Sequence, residues 1–233
     1  VIGSGIAGLT YAMKVSEFGS VTIITKKNLT ESNTNYAQGG IASVIDSNDS
    51  FKLHIKDTLD AGAGFCNPEI VEMVIKHGPG CIQNLIDLGV KFSRKDDNSS
   101  YDLGREGGHS KNRVIHCKDK TGREVEFTLS DHVRRNRNIR IIENHIAIDL
   151  ITETGKDGKK TNRGAYILDI ENGNVITISA KVTILATGGA GKVYLYTSNP
   201  DIATGDGMAM AYRAGARVSN MEFVQFHPTC LFH

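Results

Sequence analysis

Two glycine-rich stretches and one histidine carry most of the chemistry that this sequence allows. Near the start, Gly3, Gly5 and Gly8 have the spacing of a turn that holds a pyrophosphate, because residues without side chains let the backbone approach the phosphates. Residues 33–40 include two adjacent glycines, whose backbone N–H groups could approach a planar ring or a phosphate closely. Near the end, His227 could donate a hydrogen bond to a carboxylate. The sequence therefore predicts a dinucleotide near one end of the chain and an anionic substrate near the other.

The first motif needs a strand before it and a helix after it. Val1 and Ile2 would end a short buried strand, a helix is expected over about residues 8–18, and a second strand over 21–25. This is the opening strand–helix–strand of a doubly wound α/β sheet. The N–H groups and positive dipole end of the helix would face the phosphates. An ordinary tight turn between strand and helix remains the alternative.

The end of the second strand lacks the acid that usually holds the ribose hydroxyls of a nicotinamide cofactor. Thr25 and Lys26 stand there instead. A threonine hydroxyl could still hydrogen-bond a ribose and Lys26 could reach a cofactor oxygen, although a solvated lysine is the alternative. This departure disfavours a nicotinamide dehydrogenase.

The rest of the chain predicts alternating helices and strands around one long loop. Residues 28–50 lack helical periodicity, and loops of that length in a compact domain are usually functional. Helical patterns cover about residues 50–61, 67–77, 79–88, 121–135 and 204–214, and β-runs cover 139–151, 164–170 and 175–179. We expect a small antiparallel β-meander at about residues 139–181 and a buried strand over 182–189.

Composition excludes several classes of protein. A hydrophobic content of 39%, a charged content of 23% and a net charge of +1 are ordinary for a globular protein and argue against a nucleic-acid-binding one. No apolar run approaches the length of a membrane span, so a cytoplasmic protein without a membrane partner is expected. The four cysteines form no CxxC pair, so we expect no metal site and no disulfide scaffold. The chain begins inside its first strand and stops after His233, which suggests a fragment of a longer protein.

The stretch Thr30–Ala42, with sequence TESNTNYAQGGIA, resembles the flavin-contacting loop of the L-aspartate oxidases. Those enzymes belong to one superfamily with the flavoprotein subunits of succinate dehydrogenase and fumarate reductase. Six further blocks follow in the order of that family: residues 60–64, 105–110, 121–124, 186–189, 204–207 and 225–229. The resemblance implies one FAD-binding domain of the glutathione-reductase type over residues 1–233, with the connection to a cap domain starting at about 228–233.

The resemblance also implies which residues contact FAD. Asn33 stands where the membrane-complex members carry a histidine bonded covalently to FAD, and an amide has no comparable nucleophilic nitrogen. A non-covalent FAD is therefore expected. Asp206 resembles a residue that contacts the sugar or ribityl chain, although a helix N-cap is the alternative. The implied contacts are Gly3, Ser4, Gly5, Ile6, Ala7, Gly8, Lys26, Asn33, Thr34, Asn35, Tyr36, Ala37, Gln38, Gly39, Gly40, Ile146, Ala147 and Asp206.

Two residues match substrate-binding positions of the family. Glu106 matches a glutamate that recognises the α-amino group of aspartate, since a carboxylate attracts an ammonium and repels a plain dicarboxylate. His227 matches the histidine that binds a substrate carboxylate beside the flavin. The alternatives are a surface glutamate in a polar loop and an ordinary core or surface histidine.

The resemblance implies oxidation of L-aspartate to iminoaspartate, with hydride passing from C2 to flavin N5 and reoxidation by oxygen or fumarate. That reaction is the first step of NAD biosynthesis through quinolinate, so a functional link to quinolinate synthase is expected. In this family the catalytic arginine lies beyond residue 233, and the fragment alone is expected to be inactive. The alternatives are a fumarate reductase or succinate dehydrogenase flavoprotein, and a flavin-binding module without catalysis.

Overall fold

The computed structural model describes residues 1–118 and 120–226, which form two compact units. Unit 1 contains residues 1–35 and the chain from Leu129 onward, and unit 2 contains residues 36–128. In chain order the elements are α1 (Ile6–Val15), β1 (Val21–Ile24), α2 (Asn33–Tyr36), β2 (Ile41–Ala42), α3 (Phe51–Ala61), α4 (Pro68–Asp87), β3 (Leu103–Gly104), β4 (Val114–Ile115), α5 (Thr121–Arg135), β5 (Ile139–Ile142), β6 (His145–Thr154), β7 (Lys160–Asp169), β8 (Val175–Ser179) and α6 (Asp206–Arg213). A short 3-10 helix covers Gly191–Val193.

Unit 1 is built on a narrow parallel sheet. β1 pairs in parallel with β5, with Val21 opposite Ile139, and Ile2 bridges in parallel to Ile24 on one side and Leu185 on the other. The helix α1 connects Ile2 to β1, as a crossover between neighbouring parallel strands requires. The predicted doubly wound α/β opening is confirmed.

An antiparallel meander of β6, β7 and β8 completes unit 1. It spans residues 145–179, because 139–142 belong to the parallel sheet rather than to the meander. Ile167 is fully buried and shares a core cluster with Ile2, Ile24 and Met210. The meander and the parallel sheet thus bury one common apolar layer, which fixes their positions within the unit.

The expectation of a buried strand over residues 182–189 is wrong in part. Ile2 N–H donates to Ile184 O at 2.8 Å and Ala186 N–H donates to Ile2 O at 2.8 Å, but only Leu185 forms a bridge. Val182 is 66% exposed. Among the described residues, this segment is the edge of the parallel sheet, and Ile2 is the residue to which it bridges, so a single bridge forms.

Unit 2 packs α3 against α4 and holds a small sheet in the order β2–β4–β3. The Asn67 side chain accepts hydrogen bonds from Glu69 N–H and Ile70 N–H, so Pro68 opens α4 as predicted. The two helices expected over 67–77 and 79–88 are one helix, which continues through Pro79.

The apolar stripe of α4 explains why Pro79 does not end it. Ile75 precedes the proline, Ile82 and Leu85 follow it, and all three are buried. A proline inside a helix costs about 3 kcal/mol. Full burial of each large aliphatic side chain contributes about 1.5–3 kcal/mol, so a continuous stripe outweighs the local penalty.

Within the described ranges, no helix is both long and apolar enough to cross a membrane.

Candidate functional site

The glycine turn of unit 1 is as tight as its spacing predicts. Gly3 has φ +109°, and a Cβ there would lie 2.2 Å from the Ala186 carbonyl oxygen. A Cβ on Gly8 would lie 2.1 Å from the carbonyl oxygen of Gly3. No side chain larger than hydrogen fits at either position. The helix α1 begins directly after the turn, with Gly5 as an N-cap that offers no side-chain hydrogen bond.

A cavity of about 1010 Å³ lies at the carboxyl ends of the parallel strands of unit 1. Gly3 follows the first strand position, Thr25 follows β1, Ala186 follows the edge bridge and His145 comes shortly after β5, and all four line the cavity. Ligands of open α/β sheets bind at this end of the strands. Its volume is at the upper end of small-molecule sites, as a dinucleotide requires.

Ten of the residues predicted to contact the cofactor line this cavity. They include most of the glycine turn, both residues at the start of α2, and one residue each from β6 and α6. These are Gly3, Ser4, Gly5, Ile6, Ala7, Lys26, Asn33, Thr34, Ala147 and Asp206. Gly8 does not line the cavity, but it packs against the carbonyl of Gly3, which does.

Ile146 is not among the lining residues, whereas its neighbours His145 and Ala147 are. Successive side chains of a strand point to opposite faces. With Ala147 facing the cavity, the side chain of Ile146 belongs to the other face of β6. The resemblance implies an FAD contact from the backbone near Ile146 and Ala147, and for Ile146 this contact stays a prediction.

Two polar pairs stand where the ribose-binding acid of a nicotinamide enzyme would be. The Ser4 hydroxyl donates to Thr25 Oγ1 at 3.0 Å, and both side chains are buried. Lys26 Nζ forms an ion pair with Asp206 at 2.5 Å and donates to Ile202 O at 2.8 Å. Burial would raise the pKa of Asp206, but Lys26 and the Thr204 hydroxyl lower it. The Lys26–Asp206 ion pair therefore forms a charged edge of the cavity.

Asp206 does not cap α6, so that alternative is wrong. Gly205 is the N-cap, in the left-handed conformation at φ 77°, and Asp206 is the first helical residue. An acid in the first turn complements the positive end of the helix dipole. This leaves the Asp206 carboxylate held between Lys26 and Thr204 at the rim of the cavity.

The long loop of residues 28–50 contains a one-turn helix, α2, at the position of the distinctive motif. Thr34 Oγ1 accepts a hydrogen bond from the Ile6 N–H at 3.0 Å, which ties α2 to the start of α1. Asn33 Nδ2 lies 3.5 Å from the point that a Cβ on Gly188 would occupy. Asn33 thus lies at the cavity beside Gly188. Asn35 belongs to unit 1 but does not line the cavity.

The second half of that motif belongs to unit 2. Tyr36 is half exposed, the Ala37 carbonyl accepts from Gly122 N–H at 3.0 Å, and Gln38 is exposed. A Cβ on Gly40 would lie 2.3 Å from the Ile115 carbonyl oxygen, so only glycine fits there. The Gly39 backbone lies against Glu106: its Cβ would be 3.2 Å from Glu106 Oε1.

Unit 2 therefore brings two predicted site residues together, Gly39 of the loop and the exposed carboxylate of Glu106. A hydrogen bond from His109 N–H to Glu106 O at 3.2 Å closes a turn around Gly107 and Gly108. Gly108 has φ +81°, as the third position of a type II turn requires. His227 lies outside the described residues.

The sequence did not single out a buried charge cluster in unit 2. Arg113 has no exposed surface and forms ion pairs with Asp49 at 2.7 Å and with Asp57 at 2.6 Å. Burial would raise the pKa values of both acids, but hydrogen bonds from Arg113 and from Ser50 or Ser110 outweigh it and lower them. These partners stand 64 and 56 residues from Arg113 in the chain, so no local pattern joins them.

His54 completes this cluster. Its ring meets that of His109 edge to face at 5.7 Å, and its Nδ1 finds no hydrogen-bond partner within residues 1–118 and 120–226. Burial lowers the pKa of His54, and the positive charge of Arg113 lowers it further. Among the described residues, no group of three or more His, Cys, Asp or Glu could hold a metal ion.

Comparison with known proteins gives the class that this site defines. The family model described as FAD binding domain matches residues 1–233, and the chain belongs to that family. The residues fit the cofactor, because Gly3 and Gly5 bring backbone without side chains to the cavity and two hydroxyls and one ion pair line the opening. Asn33, the glycine turn and the Lys26–Asp206 pair would hold FAD.

The chain is also similar to particular proteins. It is 52% identical to the L-aspartate oxidase 1 of Ralstonia nicotianae over its whole length, which is 44% of that protein. It is 50% identical to the chloroplastic L-aspartate oxidase of Arabidopsis thaliana over 99% of the chain and 35% of that protein. Among solved structures, the E. coli quinol fumarate reductase matches with a TM-score of 0.93 and 34% identity, over 99% of this chain and 39% of that one. The chain thus spans less than half the length of these relatives.

Proposed function

We propose that the protein to which this chain belongs oxidises L-aspartate to iminoaspartate with FAD, as the first step of NAD biosynthesis through quinolinate. The observation that carries the proposal is the contact between Glu106 and Gly39, which puts a carboxylate beside the predicted flavin-contacting loop. An exposed carboxylate there attracts the ammonium group of an amino acid. Identity of about half the residues to proteins named L-aspartate oxidase supports it.

The residues of this chain bind and orient in the proposed reaction. FAD supplies the acceptor for the hydride from C2 and is reoxidised by oxygen or fumarate. Glu106 would hold the ammonium group, and His227 would donate a hydrogen bond to a substrate carboxylate. The Gly3–Gly8 turn would hold the pyrophosphate through its backbone and the start of α1. The catalytic arginine expected beyond residue 233 would complete the site, so residues 1–233 alone would not turn over aspartate.

Non-covalent binding of FAD is part of the proposal. Asn33 lines the cavity at the motif position of the covalently bonding histidine of related enzymes, and its amide has no nucleophilic nitrogen. Acid precipitation of the full-length protein should leave a yellow supernatant and a colourless pellet. A pellet that keeps the flavin would contradict this part of the proposal.

Three finer expectations go with it. Iminoaspartate hydrolyses in water, so an enzyme that consumes it at once fits as a functional partner, and quinolinate synthase is the one we expect. We expect no nucleic-acid partner. A cytoplasmic location stays a prediction, because relatives in Nicotiana tabacum and Arabidopsis thaliana are named chloroplastic.

The test is turnover of L-aspartate by the full-length protein, followed as peroxide formation under oxygen and as succinate formation from fumarate without oxygen. Glu106→Gln removes the charge but keeps the shape of the side chain. It should raise KM for L-aspartate about 10-fold to 100-fold, since a hydrogen bond to a charged group contributes about 1.5–3 kcal/mol. Glu69→Gln, at an exposed acid of α4, is the matched control and should leave KM unchanged.

The second candidate is a fumarate reductase or succinate dehydrogenase flavoprotein, favoured by the TM-score of 0.93 to a quinol fumarate reductase. Oxidation of succinate at a rate equal to that of L-aspartate, with no effect of Glu106→Gln, would favour this candidate. Bound flavin with neither activity would favour a flavin-binding module without catalysis.

A further inference from the structure

We propose that the buried Arg113–Asp57 pair positions the turn that carries Glu106, and so sets how strongly the enzyme distinguishes an α-amino dicarboxylate from one without the amine. Arg113 and Asp57 are positioning residues in this proposal, because they act on substrate only through the turn. The kinetic consequence depends on the proposed function, whereas the anchoring of the turn does not.

The turn itself has little that holds it in place. Glu106, Gly107 and Gly108 are exposed, and within the described ranges the backbone of the turn makes one hydrogen bond of its own, from His109 N–H to Glu106 O. Two consecutive glycines give the chain more conformational freedom than any other pair of residues. A fixed position for the Glu106 carboxylate therefore requires anchors outside the turn.

Asp57 supplies the anchor on the C-terminal side. Its Oδ2 accepts hydrogen bonds from Ser110 N–H at 2.8 Å and from the Ser110 hydroxyl at 2.7 Å. The same oxygen accepts from Arg113 Nη1 at 2.6 Å. One carboxylate oxygen thus joins the residue after His109 to the buried guanidinium.

Arg113 supplies the second anchor. Its backbone N–H donates to the Gly104 carbonyl at 3.1 Å, on the N-terminal side of the turn. Its Nη1 lies 3.3 Å from His109 Nδ1, and because a guanidinium can only donate, Nδ1 is the acceptor. Residues 104–113 therefore form a closed loop that ends at Arg113, whose backbone holds Gly104 and whose side chain holds the His109 ring.

Asp49 holds Arg113 from the other side and provides a matched control. It accepts from Arg113 Nε at 2.7 Å and Nη2 at 2.9 Å, and its Oδ1 accepts from Ser50 N–H at 2.8 Å. Within the described part of the chain, none of its hydrogen bonds reaches residues 104–110. A change at Asp49 disturbs the same buried cation as a change at Asp57, but it removes no bond to the turn.

The kinetic experiment compares Ser110→Ala, Asp57→Asn and Asp49→Asn in the full-length protein loaded with FAD. Selectivity is the inhibition constant of succinate divided by KM for L-aspartate. Ser110→Ala and Asp57→Asn should lower it about 10-fold, because the first removes one hydrogen bond to the carboxylate and the second removes the charge from both. The value of kcat should stay within about 2-fold, since the residues that touch the reacting atoms are intact. Asp49→Asn should lower thermal stability and leave selectivity unchanged.

A second experiment measures how firmly Asp57 holds the turn, without depending on enzyme activity. Hydrogen exchange of the backbone amide at position 110, measured on peptides that cover residues 104–113, should speed up about 10-fold in Ser110→Ala and Asp57→Asn. Tryptic cleavage after the exposed Arg105 should rise in parallel. In Asp49→Asn both rates should match the wild type under conditions where the protein stays folded.

The outcomes are distinct. Unchanged exchange in Ser110→Ala and Asp57→Asn overturns the anchoring, and faster exchange with unchanged selectivity overturns its link to specificity. Equal effects from Asp49→Asn and Asp57→Asn overturn the proposal in favour of general stability. If the wild type does not oxidise L-aspartate, the proposed function fails, and the exchange rates still decide whether Asp57 anchors the turn.

Discussion

Substitution of Gly8 by alanine should weaken FAD binding even though Gly8 does not line the cavity. The new Cβ would lie 2.1 Å from the Gly3 carbonyl oxygen, about 1.3 Å inside the shortest ordinary contact of 3.4 Å. The obstacle is backbone, so no side chain can rotate away. The helix α1 has to move from the turn, and the N–H groups at its start move with it.

The magnitude follows from two opposing terms. Alanine in place of glycine inside a helix stabilises by about 1 kcal/mol. Overpacking of a tight site costs about 1–3 kcal/mol, and here the clash is at the upper end because only backbone can yield. The net cost of keeping the turn in its present geometry is therefore about 1–2 kcal/mol. Without FAD the clash is relieved by movement of α1, so this cost falls on FAD binding and raises the dissociation constant about 10-fold.

The assay is titration of the full-length apoprotein with FAD, followed by the quenching of flavin fluorescence, together with the melting temperature with and without FAD. Gly19→Ala is the matched control: it lies in the same unit, has nothing within 4 Å of its Cβ and does not have a positive φ. It should leave the dissociation constant unchanged. Wild-type affinity and melting temperature in Gly8→Ala would refute the argument that this helix–strand contact shapes the site.

Three further predictions concern the buried groups of unit 2. Arg113→Met should lower the free energy of unfolding, measured by urea titration, by about 3–5 kcal/mol, because it leaves Asp49 and Asp57 without their cation. A triple variant that also carries Asp49→Asn and Asp57→Asn should recover much of that loss. Folding lowers the pKa values of Asp49 and Asp57, so their contribution to the free energy of unfolding should be complete above the unfolded pKa of about 3.9. That contribution should decline as pH falls through the folded pKa values, and the triple variant without Arg113, Asp49 and Asp57 should lack this decline. Burial, with Glu124 adding to it, raises the pKa of Cys117 to about 11, so iodoacetamide at pH 8 should label it far more slowly than the exposed Cys81, as peptide mass spectrometry can measure.

The sequence predicted the elements that local chemistry defines. The capped start of α4 at Asn67, the helix Thr121–Arg135 and the tight turn at Gly3 all depend on neighbours within a few residues, and the structure has each of them. The same local logic failed at Pro79, where a breaker was overridden by the burial of Ile75 and Ile82 on one stripe. Burial on that scale is a tertiary property.

The site shows the same division. The residues predicted to contact the dinucleotide belong to motifs that are visible in the sequence, and most of these residues line the cavity of unit 1. The ion-pair partners of Lys26 and Arg113 could not be predicted from the sequence. Asp206 is 180 positions from Lys26 and Asp49 is 64 positions from Arg113, and only the fold brings each pair within 3 Å. The catalytic role of Glu106 and the FAD contacts of residues 36–40 stay predictions.

The pairing of β1 with β5 has a consequence for folding during synthesis on the ribosome. These adjacent parallel strands are separated by all of unit 2, so the sheet under the cofactor cannot close until residue 142 has left the exit tunnel. Joining segments so far apart costs entropy before any contact offsets it, and such non-local pairing is slow. The strand before the glycine turn can bridge to Ile24 early, but its other side stays unpaired until Leu185 has emerged, after all of unit 2. Cofactor capture should be a late event of biosynthesis.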